Sequence, residues 1–401
     1  MPRTEIIENW AELQALEPEW NALLARSRAN SVFLTWEWID AWREAAGEAV
    51  QPFVVTCRDD QGRLLAAAPF YLAGLRLLGC VPYRTLRILG DYHSGAEYGD
   101  WIVAQDREAE LSLALARALA VVRHRWDCIW MPNVAGWTGA RDRVRAACVG
   151  AGFRIQERPR PFSMAALPAD YASYWQALSG NARSAIQRQA RRIQAAGAQF
   201  EACASSAELA AFLDALVDLN YRRWSSVGQQ GNFHRRPLEL AFYRQFAPRA
   251  MQRGWLRLFG MRIGTELKAV QIGYVYGASF VQLQEGFDPA APHGLGNVLR
   301  SRVIESCIRE GVRTYDFLGG YTDHKRRWLA TTRAGHDLLA GHRSLRNTLV
   351  HSVRFWPTGR FLRQQPLAAL AARLEAHPGA GRLASERVVA GLDPPHIRGG
   401  Q

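Results

Sequence analysis

Residues 281–307 read VQLQEGFDPAAPHGLGNVLRSRVIESC, and residues 314–329 read TYDFLGGYTDHKRRWL. The first stretch is a strand, a turn, two glycines and a helix. Gly294 and Gly296 allow close backbone approach, and Asn297 is placed to cap the helix. The free N–H groups of a helix start, with the dipole behind them, make a phosphate site. Arg300 and Arg302 stand one turn in. The loop is neither a Walker loop, which needs Gly-Lys-Ser/Thr, nor a Rossmann fingerprint. In the second stretch, strand VRTYDFL alternates. Tyr315 and Phe317 face one side, Asp316 and Leu318 the other. Gly319-Gly320 ends the strand with a sharp turn, and Tyr321 and Lys325 follow it.

The chain holds 50 Lys+Arg, of which only Lys268 and Lys325 are lysine. Lys268 sits in a polar hairpin. Lys325 sits just past a strand end, where an ammonium, a compact charge with rotatable donors, can meet a phosphate or a developing oxyanion that a planar guanidinium would not fit, unless its place is chance.

Working outward, GWLRLFGMRIGTELKAVQIGYVYGASFVQLQEG reads as a three-stranded meander with turns at 263–265 and 277–279. Helices are expected at 206–226 and over LELAFYRQFAPRAMQRG. The segment SGNARSAIQRQARRIQAAG is helical, and no acidic residue occurs from Tyr171 to Phe200. Ile186, Ala190 and Ile193 form its apolar face. Arg188 with Arg191 and Arg192 places like charges one turn apart, which costs a few tenths of a kcal/mol unless an anion lies against them. Arg183 stands one turn before.

The first half runs in the same order. A helical stretch at 9–28 is followed by SVFLTWEWIDAWREA, whose Trp36, Trp38 and Trp42 at helical spacing read as core. Two strands flank Asp59–Gly62, and LRLLG and LRILGD are further strands. A helix at 106–124, strand DCIWMPN, helix ARDRVRAACVGAG and strand FRIQERP complete the half. Each half is thus a hairpin or meander, a helix and a strand. This is an α/β (α+β) chain with a duplicated unit, expected as 1–165, 166–345 and a basic tail 346–401.

The loop LGDYHSGAEYGDW after a first-half strand gathers Asp91, Tyr92, His93, Ser94, Glu97, Tyr98 and Asp100. Such a loop lines a cleft or lies on the surface. Ser94 lacks the G-x-S-x-G surroundings of a nucleophile elbow. Glu285, ending a strand opposite the glycine loop, is a candidate general base, as is Asp316.

Bulk properties narrow the class. At 401 residues and 48% hydrophobic, the chain suits two or three folded domains. A net charge of +13 favours anionic partners: phosphorylated cofactors, nucleic acid or a membrane surface. Six cysteines without a CxxC pair, and ten histidines without ligand spacing, argue against a disulfide framework or a metal site. Cys57, Cys128 and Cys307 read as small core residues. MPRTEIIENW has no signal region and no run is long enough to span a bilayer, so a cytoplasmic location is expected.

The order meander, GFDP, glycine-rich helix start, helix, YDFLGG, lysine and tryptophan resembles the acetyltransferase-like domain of the GNAT superfamily. More closely it resembles the branch of CelD-like proteins associated with cellulose and exopolysaccharide synthesis, and the Fem-type aminoacyl transferases. FLTWEWIDAW, AAAPFYL and LRILGDYHSGAEYGDWIV carry the likeness through the first half, so that it runs from about residue 30 to 345. It implies tandem GNAT-like domains, each a mixed, mostly antiparallel sheet flanked by helices. It implies an enzyme moving an acyl group from acyl-CoA (acetyl-CoA) to an amine or hydroxyl of a sugar or small metabolite, with no metal. By the motif, Lys325 is the reacting-centre lysine. Lys325, Glu285 and Asp316 are then the catalytic candidates. Gly294, Gly296, Asn297 and Arg300 hold the donor. Arg183, Arg188, Arg191, Asp91, Tyr92, His93 and Tyr321 line the substrate side. The PHGLGN loop keeps the family's glycines but lacks the leading Arg/Gln. The Fem-type relatives imply an alternative donor, aminoacyl-tRNA. A third reading is a non-catalytic protein that binds an anionic polymer or membrane through HSVRFWPTGRFLRQQ (351–365), with peripheral association to envelope synthesis machinery.

Overall fold

The computed structural model describes residues 2–47, 50–77, 81–91, 94–229, 233, 237–352 and 362–364. In chain order the strands are β1 (Arg3–Ile7), β2 (Gln51–Arg58), β3 (Leu64–Leu77), β4 (Val81–Ile88), β5 (Ile102–Val103), β6 (Cys128–Ala135) and β7 (Arg154–Ala166). The second half adds β8 (Gln199–Ala202), β9 (Leu256–Ile263), β10 (Glu266–Tyr276), β11 (Ser279–Phe287), β12 (Thr314–Gly319), β13 (Thr331–Gly341) and β14 (Leu362–Gln364). They form one 14-stranded sheet in the order β1-β2-β3-β4-β6-β13-β7-β12-β11-β10-β9-β8, with β5 and β14 pairing β3.

The order shows the duplication directly. Within each half the strands run antiparallel except for one parallel pair, β4 with β6 and β11 with β12. The last strand of each half is exchanged. β7 lies beside β12 of the second half, and β13 beside β6 of the first. These two strands pair with each other from Thr331↔Met164 to Gly341↔Arg154, which stitches the halves together. The expected boundary at 165/166 falls at the end of β7.

Most elements form where hydrophobic period and turn chemistry place them. The helix Trp36–Ala46 is capped by Thr35, whose hydroxyl accepts from Trp38 N. Trp38 is fully buried, with ring centroids 4.5 Å from Phe242 and 4.7 Å from Phe246 of the second-half helix Pro237–Gln252. The aromatic triplet is therefore core, and that core joins the two halves. A second core packs the helices Gly180–Ala195 and Leu295–Arg309 against β12. Cys57, Cys128 and Cys307 are buried and free.

One expectation needs correction. LRLLG is not a separate strand: β3 runs on through Gly74 to Leu77, because nothing crowds that glycine and β4 pairs along it. The strand β13 shows no alternating signal, since Thr331–Ala334 are all exposed and Asp337–Gly341 are all buried. Among the described residues no helix is long and apolar enough to cross a membrane. The segment 351–365 lies largely outside the described residues.

Candidate active site

The parallel pair β11–β12 is held over three residues only, Ser279–Val281 against Thr314–Asp316, and then splays. Both strands are bent locally. In β11 the register against β10 shifts at Gly273, where a Cβ would meet the Phe280 ring and Val281 O at 2.4 Å. In β12, Leu318 takes a left-handed φ of 60°, and Asp316 Oδ1 accepts from Leu318 N at 2.8 Å. The register against β7 shifts between Asp316 and Gly319.

The helix Leu295–Arg309 begins beside this splay. Gly294 is its N-cap with φ +95°, a conformation that favours glycine. Asn297, expected as the cap, lies inside the first turn. Its side-chain amide donates to Gln189 Oε1 at 3.3 Å instead, because the chain has already turned helical at Leu295. The first turn holds no acidic residue. A groove of about 550 Å³ opens here, walled by Asn181, Gln189, His293, Asn297, His324, Arg327 and Trp328. The Gln189 side chain leans over Gly294, so that a Cβ there would meet it at 2.2 Å. Gly296 faces the Phe287 ring.

Arg300 turns inward to 2% exposure, donates to Glu285, touches His324 and lies under the Trp328 ring. The other Glu285 oxygen accepts from Arg223 at 3.1 Å. Burial pushes the Glu285 carboxyl up, but Arg300 and Arg223 outweigh it and hold the pKa below its usual value. Glu285 is thus an ion-pair anchor between two guanidinium groups.

Lys325 follows β12 on a short helix, Asp323–Arg327, capped by Thr322. Its ammonium donates to the carbonyls of Gly319 (2.6 Å), Phe317 (2.9 Å) and Gly320 (3.0 Å), with Leu318 O at 3.4 Å. Four acceptors compete for three protons, so a substrate oxygen draws it away only by replacing a carbonyl. Burial lowers the lysine's pKa, while Glu97 and Asp316 oppose the shift.

The first half supplies that last contact. Its loop Ser94–Asp100 reaches across to the end of β12. Tyr98 donates its hydroxyl to Asp316 Oδ2 at 2.7 Å, and Gly319 N donates to Glu97 Oε2 at 2.8 Å. Desolvation drives the Glu97 carboxyl up to about 8, helped by the Asp316 charge beside it. Asp316 rises to about 6, again through desolvation, with Tyr98, Leu318 N and Lys325 opposing. Tyr98 and Asp316 also wall a cavity of about 180 Å³ between the halves, together with Trp137, Arg333 and Ser31. The Ser31 hydroxyl is buried without a partner there.

The other expected residues are placed as follows. Arg183 donates to Gln176 O and Leu178 O, closing the turn between two helices. Arg188 and Arg191 are exposed on the face of Gly180–Ala195. Asp91 is tied to Arg87 and Tyr71 inside the first half and does not wall the groove. Ser94 is buried and donates to Gly90 O. Tyr321 is 42% exposed beside the Lys325 turn. Tyr92 and His93 lie outside the described residues. No group of three or more His, Cys, Asp or Glu that could hold a metal occurs among the described residues. Glu97 and Tyr98 belong to the loop that the sequence marks as cleft-lining or surface, without a role for either, and His324 carries no signal of its own. A polar loop after a strand was the available signal for the first two, but nothing local says that it touches residues more than 200 positions away.

Residues 180–326 match the family model described as acetyltransferase (GNAT) domain. No curated protein matches the chain. Among solved structures, FemX is similar at 11% identity and TM-score 0.60, covering 84% of this chain and 98% of that one. L-PGS from Bacillus licheniformis is similar at 12% identity and TM-score 0.49, over 84% and 96%. A tandem GNAT protein from the clavulanic acid biosynthesis pathway is similar at 12% identity and TM-score 0.46, over 84% and 98%. The match places a GNAT acetyltransferase domain at residues 180–326, inside the mixed, mostly antiparallel sheet, and supports an acyltransferase.

Proposed function

We propose that this chain moves an acyl group from acyl-CoA to an amine or hydroxyl of a saccharide or other small acceptor. The observation that carries the reading is the groove at the Gly294–Asn297 helix start, walled by the helix Gly180–Ala195 and by His324, Arg327 and Trp328. Its residues suit the donor. The helix start offers N–H groups with no acid in the first turn, Arg327 adds charge, and the Gln189 side chain over Gly294 is flexible. The cavity that Asp316 walls is the acceptor pocket. Trp137, 37% exposed, gives it an apolar face for a sugar ring.

In this reading the acceptor's lone pair adds to the thioester carbonyl. Asp316, with its raised pKa, takes the proton that the acceptor sheds, and Lys325 steadies the oxyanion as it forms. The C–S bond then breaks and the leaving thiolate is reprotonated. A role in exopolysaccharide or envelope synthesis is supported by the likeness to the CelD-like branch. Native mass spectrometry of the purified chain tests donor identity: a bound CoA thioester is expected. If Lys325→Ala left acyl transfer intact, the mechanism would fail.

A second reading has its own observation. Arg188, Arg191 and Arg192 are exposed with no ion-pair partner among the described residues, and the likeness to FemX spans both halves. Both suit an aminoacyl-tRNA donor. A gel shift with charged and uncharged tRNA decides, and no shift at low salt removes this reading.

A further inference from the structure

His324 lines the groove one residue before Lys325, and its chemistry is set by what lies behind it. Arg300 Nη1 stands 2.5 Å from His324 Nε2. A guanidinium has donors only, so Nε2 must present its lone pair. A neutral imidazole with Nε2 as acceptor carries its proton on Nδ1. Arg300 is fixed in turn by Glu285, the carboxylate to which its other terminal nitrogen donates. The Nδ1–H has no protein partner among the described residues.

The charges point the same way. Glu285 on β11 faces two guanidinium groups, Arg300 on Leu295–Arg309 and Arg223 on the helix Ser206–Ser225. One positive charge is left in excess, and Arg327 adds another at the groove wall. His324 does not join them as a cation. Although the residue as a whole is exposed, desolvation of its ring first, then Arg300, Arg223 and Arg327, pull its pKa to about 4 against the pull of Glu285. A buried ion pair is weak support for stability compared with apolar residues of the same volume. Holding a ring in one tautomer is a use that an apolar pair cannot serve.

We propose that Glu285, Arg300 and His324 form a fixed relay that presents the His324 Nδ1–H to a phosphate oxygen of the phosphorylated donor in the groove. The relay rests on the donor reading above and names the group that reads the phosphate. A CoA pyrophosphate and a tRNA phosphodiester offer the same oxygen chemistry, so the test separates them.

The experiment is ¹⁵N NMR of the full chain labelled at histidine, with His324 assigned by difference from His324→Asn. The expected result is the Nδ1–H tautomer, with no titration near the ordinary value of about 6.5. A shift of that resonance on adding inorganic pyrophosphate, coenzyme A or tRNA is also expected. In kinetics, His324→Ala raises donor KM about tenfold with kcat little changed. His324→Asn, which keeps an N–H in reach, recovers most of the loss. An Nε2–H tautomer, a titration near neutrality, or no response to any of the three anions overturns the relay. A fixed tautomer that responds to pyrophosphate alone keeps the relay and sinks both donor readings. A response to coenzyme A or to tRNA identifies the donor.

Discussion

The two halves of this molecule are built alike but end differently at their one parallel strand pair. In the second half, β11 and β12 pair over three residues, and an open groove of about 550 Å³ lies at the start of the helix that connects them. In the first half, β4 and β6 also pair over three residues, Thr85–Arg87 against Cys128–Trp130. There the gap is filled by the chain's own loop. Tyr98 N donates to Asn133 O, and a cavity of only about 10 Å³ remains between Ile88, Ala96, Glu97 and Pro132. The helix starts differ in sign as well. Glu108–Val121 carries Glu108 and Glu110 in its first turn, where Leu295–Arg309 carries no acid. An acidic first turn repels a phosphate. The difference teaches that one copy has become the wall of the other's site, since the filling loop is the one that delivers Glu97 and Tyr98 to β12.

That contrast yields predictions of graded size. The largest effect belongs at the open site. Lys325→Ala is expected to cut kcat by roughly 10²–10³, as loss of an oxyanion donor does. Asp316→Asn should fall in a similar range, with steady-state acyl transfer as the measurement for both. Next comes the core that joins the halves. Trp38→Ala should cost about 3–5 kcal/mol in urea unfolding, because the ring is fully buried against Phe242 and Phe246.

A smaller effect concerns pH. The folded Glu97 carboxyl holds its proton up to about 8, well above its ordinary value. The folded state therefore binds more protons than the unfolded chain between about 4.5 and 8. The contribution is fully present at the acid end and is lost as pH rises toward 8. Thermal melts should show stability declining across that window, and Glu97→Gln should flatten the decline. An unchanged slope in the variant would mean that Glu97 is ionised in the fold. The smallest effect belongs to the filled site. Glu110→Gln breaks only an exposed pair with Arg107. It should change stability by less than about 0.5 kcal/mol and leave donor KM unaltered.

Much of this was legible in the sequence, and the limits have physical causes. The meander, the helix after GLGN and strand TYDFLG are local patterns, and the structure has them where periodicity and glycines place them. The repeat of element order announced the duplication. The exchange of β7 and β13 was not legible, because pairing between strands more than 160 residues apart leaves no local trace. Lys325 stood out by composition, but its contacts are main-chain carbonyls, to which sequence is blind. His324 looked like one polar residue in a basic run. Only packing brings the Arg300 guanidinium beside its ring.

In the proposed reading only the second-half groove takes the donor. Titration calorimetry of coenzyme A into the full chain tests it most directly, with Arg327→Glu and Glu110→Gln as partners. One site per chain is expected, lost in Arg327→Glu and unchanged in Glu110→Gln. Two sites, no binding, or a single site insensitive to Arg327→Glu would contradict it.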